Sequence, residues 1–322
     1  MSESVGDALA TPSGETSLGP VRREPGPQDL VERDDGPRTD SRLSQGLRTL
    51  ATFASFAMFF TGSVLLGLLF VPLFLPFALF NLKRYRALCT RFVGRGLGTF
   101  LYWMKVVRLI TYEMPVPPEG LEGRPYVVVA NHPTLIDVPF LLHSFPRLTS
   151  IVKWNWYNFG PFALVLRSLN YIPADGAPTK GAAEDSDTPA LDRMVAHVEA
   201  GHPLVCFPEG SRSLRTGLRR FRRGPFETAV RAKVPIVSVF IDVNRPMLDR
   251  SHHFWQVPEG TTHFRFEVRE VIETDPTRGG ERDAEAIRKR VRDDLAACYA
   301  GCLERRAALR ALETKGIATN AT

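Results

Sequence analysis

The sequence predicts an α/β fold, a mixed sheet flanked by helices, preceded by an N-terminal membrane-anchoring helical segment. Three observations predict it. From Pro125 onward short Val- and Ile-rich runs alternate with helix-period segments; no Asp, Glu, Lys, Arg or His falls between Arg48 and Lys83; and a charged stretch with apolar residues at helical spacing closes the chain. The 322 residues fit one large domain with accessory segments as well as two domains. With 44% hydrophobic and 24% charged residues, a wholly disordered chain is excluded.

Residues 1–41 are rich in Pro, Gly, Ser, Asp and Glu and nearly lack bulky apolar groups, so they read as a disordered tail that cannot offset its ordering entropy. Residues 42–82 read as a membrane anchor, because the charge-free run exceeds the ~20 residues that cross a bilayer. A buried core helix of that length without charge is the weaker alternative. Pro72 and Pro76 each remove a helix hydrogen bond, which leaves a straight span and a kinked, re-entrant hairpin both open. The run begins well inside the chain without a short basic leader, so it is expected to stay as an anchor rather than be cleaved.

Residues 83–115 carry Lys83, Arg84, Arg86, Arg91, Arg95, Lys105 and Arg108 with no acid before Glu113, whereas the tail holds more acid than base. The positive-inside bias then places everything after the anchor on the cytoplasmic face. Leu97, Phe100, Leu101 and Met104 give this block an amphipathic pattern, read either as an interfacial helix or as an ordinary docking helix.

Residues 116–278 read as an α/β domain. The expected strands are Tyr126–Ala130, Ser150–Val152, Asn170–Ile172, Leu204–Phe207, Val234–Val243 and His263–Val271. The expected helices lie around Leu135–His143, Phe162–Ser168, Pro189–Ala200 and Pro225–Ala232. In residues 279–322, Ile287, Val291, Leu295, Cys298, Cys302 and Leu309 predict a closing helix with a charged outer face and a short tail. The four cysteines show neither CxxC pairing nor Cys/His spacing for zinc, so no metal site or disulfide scaffold is expected.

The net charge of +6 points to anionic partners. No helix-turn-helix, RNP or zinc-finger pattern accompanies it, and the cations crowd beside the anchor and in Arg212, Arg215, Arg219, Arg220, Arg222 and Arg223. An anionic membrane surface is therefore the expected partner, and nucleic acid is not. Trp103, Trp154, Trp156, Tyr157 and Trp255 suit headgroup level or ordinary core packing.

Chemistry concentrates in two stretches. Asn131-His132-Pro133-Thr134-Leu135-Ile136-Asp137 follows the strand Val127-Val128-Val129. Pro133 suits the first turn of a helix, which would set His132 at the cap and let the Asp137 carboxylate lean back toward the imidazole. A carboxylate on one ring nitrogen holds the tautomer that leaves the other free to take a proton. A helix-capping His132 beside a surface Asp137 is the bland reading of the same residues. The second stretch, Phe207-Pro208-Glu209-Gly210-Ser211-Arg212-Ser213, follows a strand; Gly210 permits close backbone approach and Arg212 offers a bidentate group for phosphate. By itself it reads equally as a turn.

Together, NHPTLID, FPEGSRS, FRRGPF and VPIVSV occur in an order that resembles the glycerolipid and lysophospholipid acyltransferase family, over roughly residues 80–275. The resemblance implies transfer of a fatty acyl group from acyl-CoA or acyl carrier protein, as co-substrate and with no resident cofactor, to the hydroxyl of a membrane lipid acceptor. It implies His132 as the base and Asp137 as its orienter. It implies Glu209, Gly210, Ser211 and Arg212 as the acceptor-binding block, and Val234, Pro235 and Ile236 on the acyl side. Many members place an Arg two residues after a Phe/Tyr-Ile pair to hold the acceptor phosphate; here Tyr171-Ile172 is followed by Pro173 and Ala174. Lys153 is the candidate replacement charge, its bland reading being a snorkelling interfacial lysine. A thioesterase or lipid hydrolase, or a non-catalytic lipid-binding protein, are the rivals. The hydrolase finds no GxSxG elbow; Cys206 reads as a strand residue and Ser211 as loop.

Overall fold

The computed structural model describes residues 42–145, 147–174, 188–248, 260–274 and 280–319. The tail read at 1–41, and Trp255, lie outside the described residues.

Helix α1 (Arg42–Leu65), a π-helical turn (Leu66–Phe70) and α2 (Val71–Phe80) make one arm of a helical hairpin; α3 (Leu82–Val106) makes the other. The arms are antiparallel: the Trp103 indole N–H donates to Ser55 Oγ at 3.0 Å, and nearer the tip Phe59 packs on Phe100 at 5.2 Å between centroids. Residues Leu66, Phe74 and Ala78 of the first arm then meet Tyr85, Cys89 and Val93 of the second. The chain reverses at Asn81, not at the prolines. Asn81 is extended, and its side chain accepts the Arg84 amide at 3.0 Å to start α3. The proline effect is local: the π turn Leu66–Phe70 directly precedes Pro72, and the helix continues through Pro76 to Phe80. Of the most apolar stretch of the first arm, within Ser44–Leu69, only 17% is buried, unlike a core helix. Leu79 and Phe80 at the tip are exposed, beside exposed Lys83 and Arg84.

The basic helical block, expected to run to residue 115, ends at Val106. Ile110–Tyr112 instead form strand β1, with Leu109 and Ile110 wholly buried and β1 paired parallel to β7. Two successive β-branched residues, buried Ile110 and exposed Thr111, prefer the pleated sheet to a helix surface.

The remaining elements are β2 (Val127–Ala130), α4 (Asp137–Ser144), β3 (Thr149–Val152), α5 (Trp154–Tyr157), α6 (Gly160–Ser168), β4 (Ile172–Pro173), α7 (Thr188–Glu199), β5 (Leu204–Cys206), α8 (Gly224–Ala232), β6 (Ile236–Val243), β7 (Thr262–Ile272) and α9 (Glu281–Thr319). They form a mixed sheet of order β1-β7-β6-β2-β5-β3-β4, in which β6 and β7 pair antiparallel and the other pairs are parallel. Side chains alternate across it: Val128 and Ala130 enter a core with α3 and α4, Val127 and Val129 one with α7, α8 and α9. Burial on both faces is why β2 is an unbroken apolar run.

Candidate active site

Strands β2 and β5 are adjacent and parallel, with Val129 opposite Cys206, so the loops leaving their carboxyl ends emerge side by side. Those loops carry His132 and the 207–213 stretch. Asn131 sets the first loop: its amide donates to the Ile241 carbonyl at 2.9 Å and its Oδ1 accepts the Ile241 N–H at 2.7 Å. The chain is thereby fixed to β6 one residue before His132.

The imidazole and the carboxylate meet as the sequence implies, but by a different local structure. His132 does not cap a helix. Residues 132–136 form a turn, and α4 begins at Asp137 itself, with Pro139 in its first turn where no amide partner is needed. Asp137, wholly buried, folds the turn around its carboxylate. Oδ2 accepts the Thr134 amide at 2.8 Å and His132 Nδ1 at 3.0 Å, while Oδ1 accepts the Thr134 hydroxyl at 2.6 Å. The start of a helix also favours a negative charge. A carboxylate accepts only, so the ring carries its proton on Nδ1 and Nε2 is left as a base. Phe207 stacks on the imidazole at 4.1 Å and 22°, fixing its plane, and 13% of the His132 side chain stays exposed.

Among the other expected site residues, Glu209 is turned inward. Its carboxylate accepts the Ser213 hydroxyl at 2.5 Å, the His132 amide at 3.3 Å and the Arg219 amide at 2.8 Å. Burial pushes its carboxyl above the usual range, against those three hydrogen bonds. Glu209 thus braces the loop. Gly210 adopts φ +64, and a Cβ there would lie 2.8 Å from Arg222 Nε, so the close approach it permits is to that guanidinium. Arg212 donates from Nη1 to the Leu248 carbonyl at 2.6 Å, and Ser211 is half-buried between Gly210 and Arg212. Lys153, exposed, follows β3 at the carboxyl end of the parallel strands, as His132 follows β2, and precedes α5.

Ser213, which sequence reasoning did not single out, ties the two loops together. Its amide donates to the His132 carbonyl at 2.7 Å, and its hydroxyl accepts the His132 amide at 3.1 Å. Cys206 is buried and its thiol is pushed up to about 12 by burial, which removes it as a nucleophile. No cluster of metal-ligating side chains occurs among the described residues.

Residues 111–242 match the family model described as Acyltransferase. The chain is 28% identical over 144 residues to the human 1-acyl-sn-glycerol-3-phosphate acyltransferase beta, covering 44% of this chain and 50% of that protein. It is 28% identical over 204 residues to the 1-acyl-sn-glycerol-3-phosphate acyltransferase alpha of Bos taurus, covering 60% and 67%. The chain thus spans about half the length of the human relative. Among solved structures, the 1-acyl-sn-glycerophosphate (LPA) acyltransferase PlsC of Thermotoga maritima shares the fold, with a TM-score of 0.57 at 18% identity, covering 79% of this chain and 97% of that one.

Proposed function

We propose that the chain, whose residues 111–242 match the Acyltransferase family model, is a glycerolipid or lysophospholipid acyltransferase that moves a fatty acyl group from a thioester donor, acyl-CoA or acyl carrier protein, to the hydroxyl of a lysophospholipid or related lipid such as 1-acylglycerol-3-phosphate. The observation that carries this reading is the His132 Nδ1–Asp137 Oδ2 hydrogen bond at 3.0 Å, which leaves Nε2 as a proton acceptor beside the 207–213 loop. His132 Nε2 takes the acceptor hydroxyl proton as that oxygen attacks the thioester carbonyl. The C–S bond then breaks, and the imidazolium returns the proton to the departing thiolate. No acyl-enzyme is needed. The buried, raised Cys206 thiol argues against the hydrolase that would use it.

The hairpin gives this chemistry its setting. Exposed leucines and phenylalanines on its first arm and exposed Lys83, Arg84, Arg91 and Arg95 on its second suit a bilayer and its anionic surface. A lipid acceptor already concentrated in that bilayer meets the base there. In this reading the catalytic domain faces the cytoplasm.

The test is an assay of the purified full chain in detergent with labelled acyl-CoA or acyl carrier protein, with and without lysophospholipid, for wild type and His132→Ala. Acyl lipid formed only by wild type, and only with acceptor, is the expected result. Free fatty acid formed irrespective of acceptor would mean hydrolysis, and no product from either donor would mean a lipid-binding role.

A further inference from the structure

The C-terminal helix α9 reaches the loop that follows β5 at three separate points. Tyr299 donates its hydroxyl to the Leu214 carbonyl at 2.8 Å. Arg288 Nη1 donates to the Phe221 carbonyl at 3.0 Å while its Nε is held by Glu285 at 2.8 Å. Glu281 meets Arg223 at 3.4 Å. The contacts bracket residues 214–223, which hold the exposed arginines Arg215, Arg220 and Arg222. On its inner side α9 is seated in the core through Ala284, Val291, Leu295 and Cys302, and Arg306 pairs with Asp242 of β6. One rigid element therefore grips the whole loop.

The Tyr299 contact is the nearest of the three to the dyad. Leu214 directly follows Ser213, whose amide and hydroxyl both bond to the His132 backbone. The Leu214 amide in turn donates to the Gly217 carbonyl at 3.1 Å and the Gly217 amide to the Leu214 carbonyl at 3.5 Å, closing a tight turn whose Leu214 carbonyl also accepts the Tyr299 hydroxyl. The ring of Tyr299 packs on the core, so its hydroxyl is aimed by packing rather than free to rotate away.

We propose that Tyr299 is a positioning residue: through the Leu214 carbonyl, with Arg288 holding the far end at Phe221, it fixes the 210–223 loop in the register that receives the lipid acceptor. This deepens the acyltransferase reading and rests on it for the acceptor. Tyr299 touches no reacting atom in this scheme. Its contribution falls on acceptor binding rather than on donor binding.

Tyr299→Phe tests this, because it keeps the packed ring and deletes only the hydroxyl. In the full chain, the acceptor KM is expected to rise roughly two- to tenfold, the worth of one such hydrogen bond, with the donor KM unchanged. Independently of activity, tryptic cleavage after Arg215, followed by mass spectrometry, is expected to accelerate. Cys302→Ala, a core truncation on the same helix away from the loop, serves as the control for general destabilisation and is expected to move neither readout selectively. An unchanged cleavage rate, an unchanged acceptor KM in an active enzyme, or the same acceptor-selective change in Cys302→Ala overturns the proposal. If the wild type transfers no acyl group, the function reading fails, and the cleavage comparison still decides whether Tyr299 holds the loop.

Discussion

His132 and Ser213, far apart in the chain, are joined by two reciprocal hydrogen bonds: the Ser213 amide to the His132 carbonyl at 2.7 Å, and the His132 amide to Ser213 Oγ at 3.1 Å. The pair welds the loop after β2 to the loop after β5. Because Ser213 Oγ also donates to Glu209 Oε1 at 2.5 Å, the buried carboxylate sits under both loops. The position of the imidazole is thus set from beneath by Glu209 as well as from the side by Asp137.

Glu209→Gln tests the brace. The amide offers one acceptor oxygen where three donors converge, and its NH2 faces a donor, so a buried polar group is left unpaired at a cost of about 1–3 kcal/mol. The sign with pH is also fixed. Burial raises the folded-state pKa of Glu209 above its usual 4.5, so the native state holds the proton more tightly and the wild type loses stability as pH rises from 4.5 through that raised value. Glutamine lacks this loss. Thermal midpoints across that window should show the deficit of Glu209→Gln shrinking as pH rises; a constant deficit would contradict the assignment.

Asp137→Asn separates orientation from acceptor binding. An asparagine cannot accept from Thr134 Oγ1, the Thr134 amide and His132 Nδ1 together, so the tautomer that frees Nε2 is no longer enforced. The expected outcome is a fall in kcat of about 10²–10⁴, the range for positioned general-base catalysis, with acceptor KM changed far less. Steady-state kinetics against both substrates decide it; a pure KM effect would assign Asp137 to acceptor binding.

The order of elements and the sheet core were legible because Val-rich runs such as Val127–Val129 leave few alternatives to a strand buried on both faces. The His132–Asp137 contact was legible for a partly wrong reason. Helical leaning suggested it, whereas the Thr134 turn creates it, and a local turn in which the Thr134 hydroxyl accepts the Ile136 amide leaves little periodic trace. Glu209 was read by motif as facing the acceptor, and only the three-dimensional convergence of donors from residues 132, 213 and 219 turns it inward. Strand β1 escaped notice because three residues carry no period and its partner β7 is distant in sequence. Ser213 and Tyr299 act through backbone atoms, whose partners no side-chain pattern encodes.

The hairpin tip predicts membrane attachment that can be removed without touching the sheet. Leu79 and Phe80 are 83% and 91% exposed, and Asn81 already reverses the chain there. The double substitution Leu79→Asp with Phe80→Asp is expected to lower flotation with anionic phospholipid vesicles, since each charge placed at bilayer depth costs up to ~3 kcal/mol. Activity on acceptor dispersed in detergent should persist. Unchanged flotation would remove the tip from the membrane contact.

The last prediction concerns His197, which sits beneath the sheet edge and away from the dyad. Its ring joins three elements: Asn170 Nδ2 donates to Nδ1 at 3.2 Å, and Nε2 lies 2.6 Å from Thr149 Oγ1, which donates onward to the Pro203 carbonyl at 2.8 Å. That chain of donors assigns the neutral tautomer protonated on Nε2 and leaves no acceptor for a second proton on Nδ1. Burial, with His202 and Arg86 nearby, pushes its pKa down to about 4 from 6.5. The unfolded chain therefore takes up a proton below pH 6.5 that the native state refuses, and stability is lost as pH falls from 6.5 toward 4. His202, whose ring lies 4.9 Å away and is shifted in the same direction, adds to the slope. His197→Gln stays neutral throughout, so its thermal midpoint should fall less than that of wild type between neutral pH and about pH 5. Equal losses in the two proteins would show that His197 does not carry the acid sensitivity.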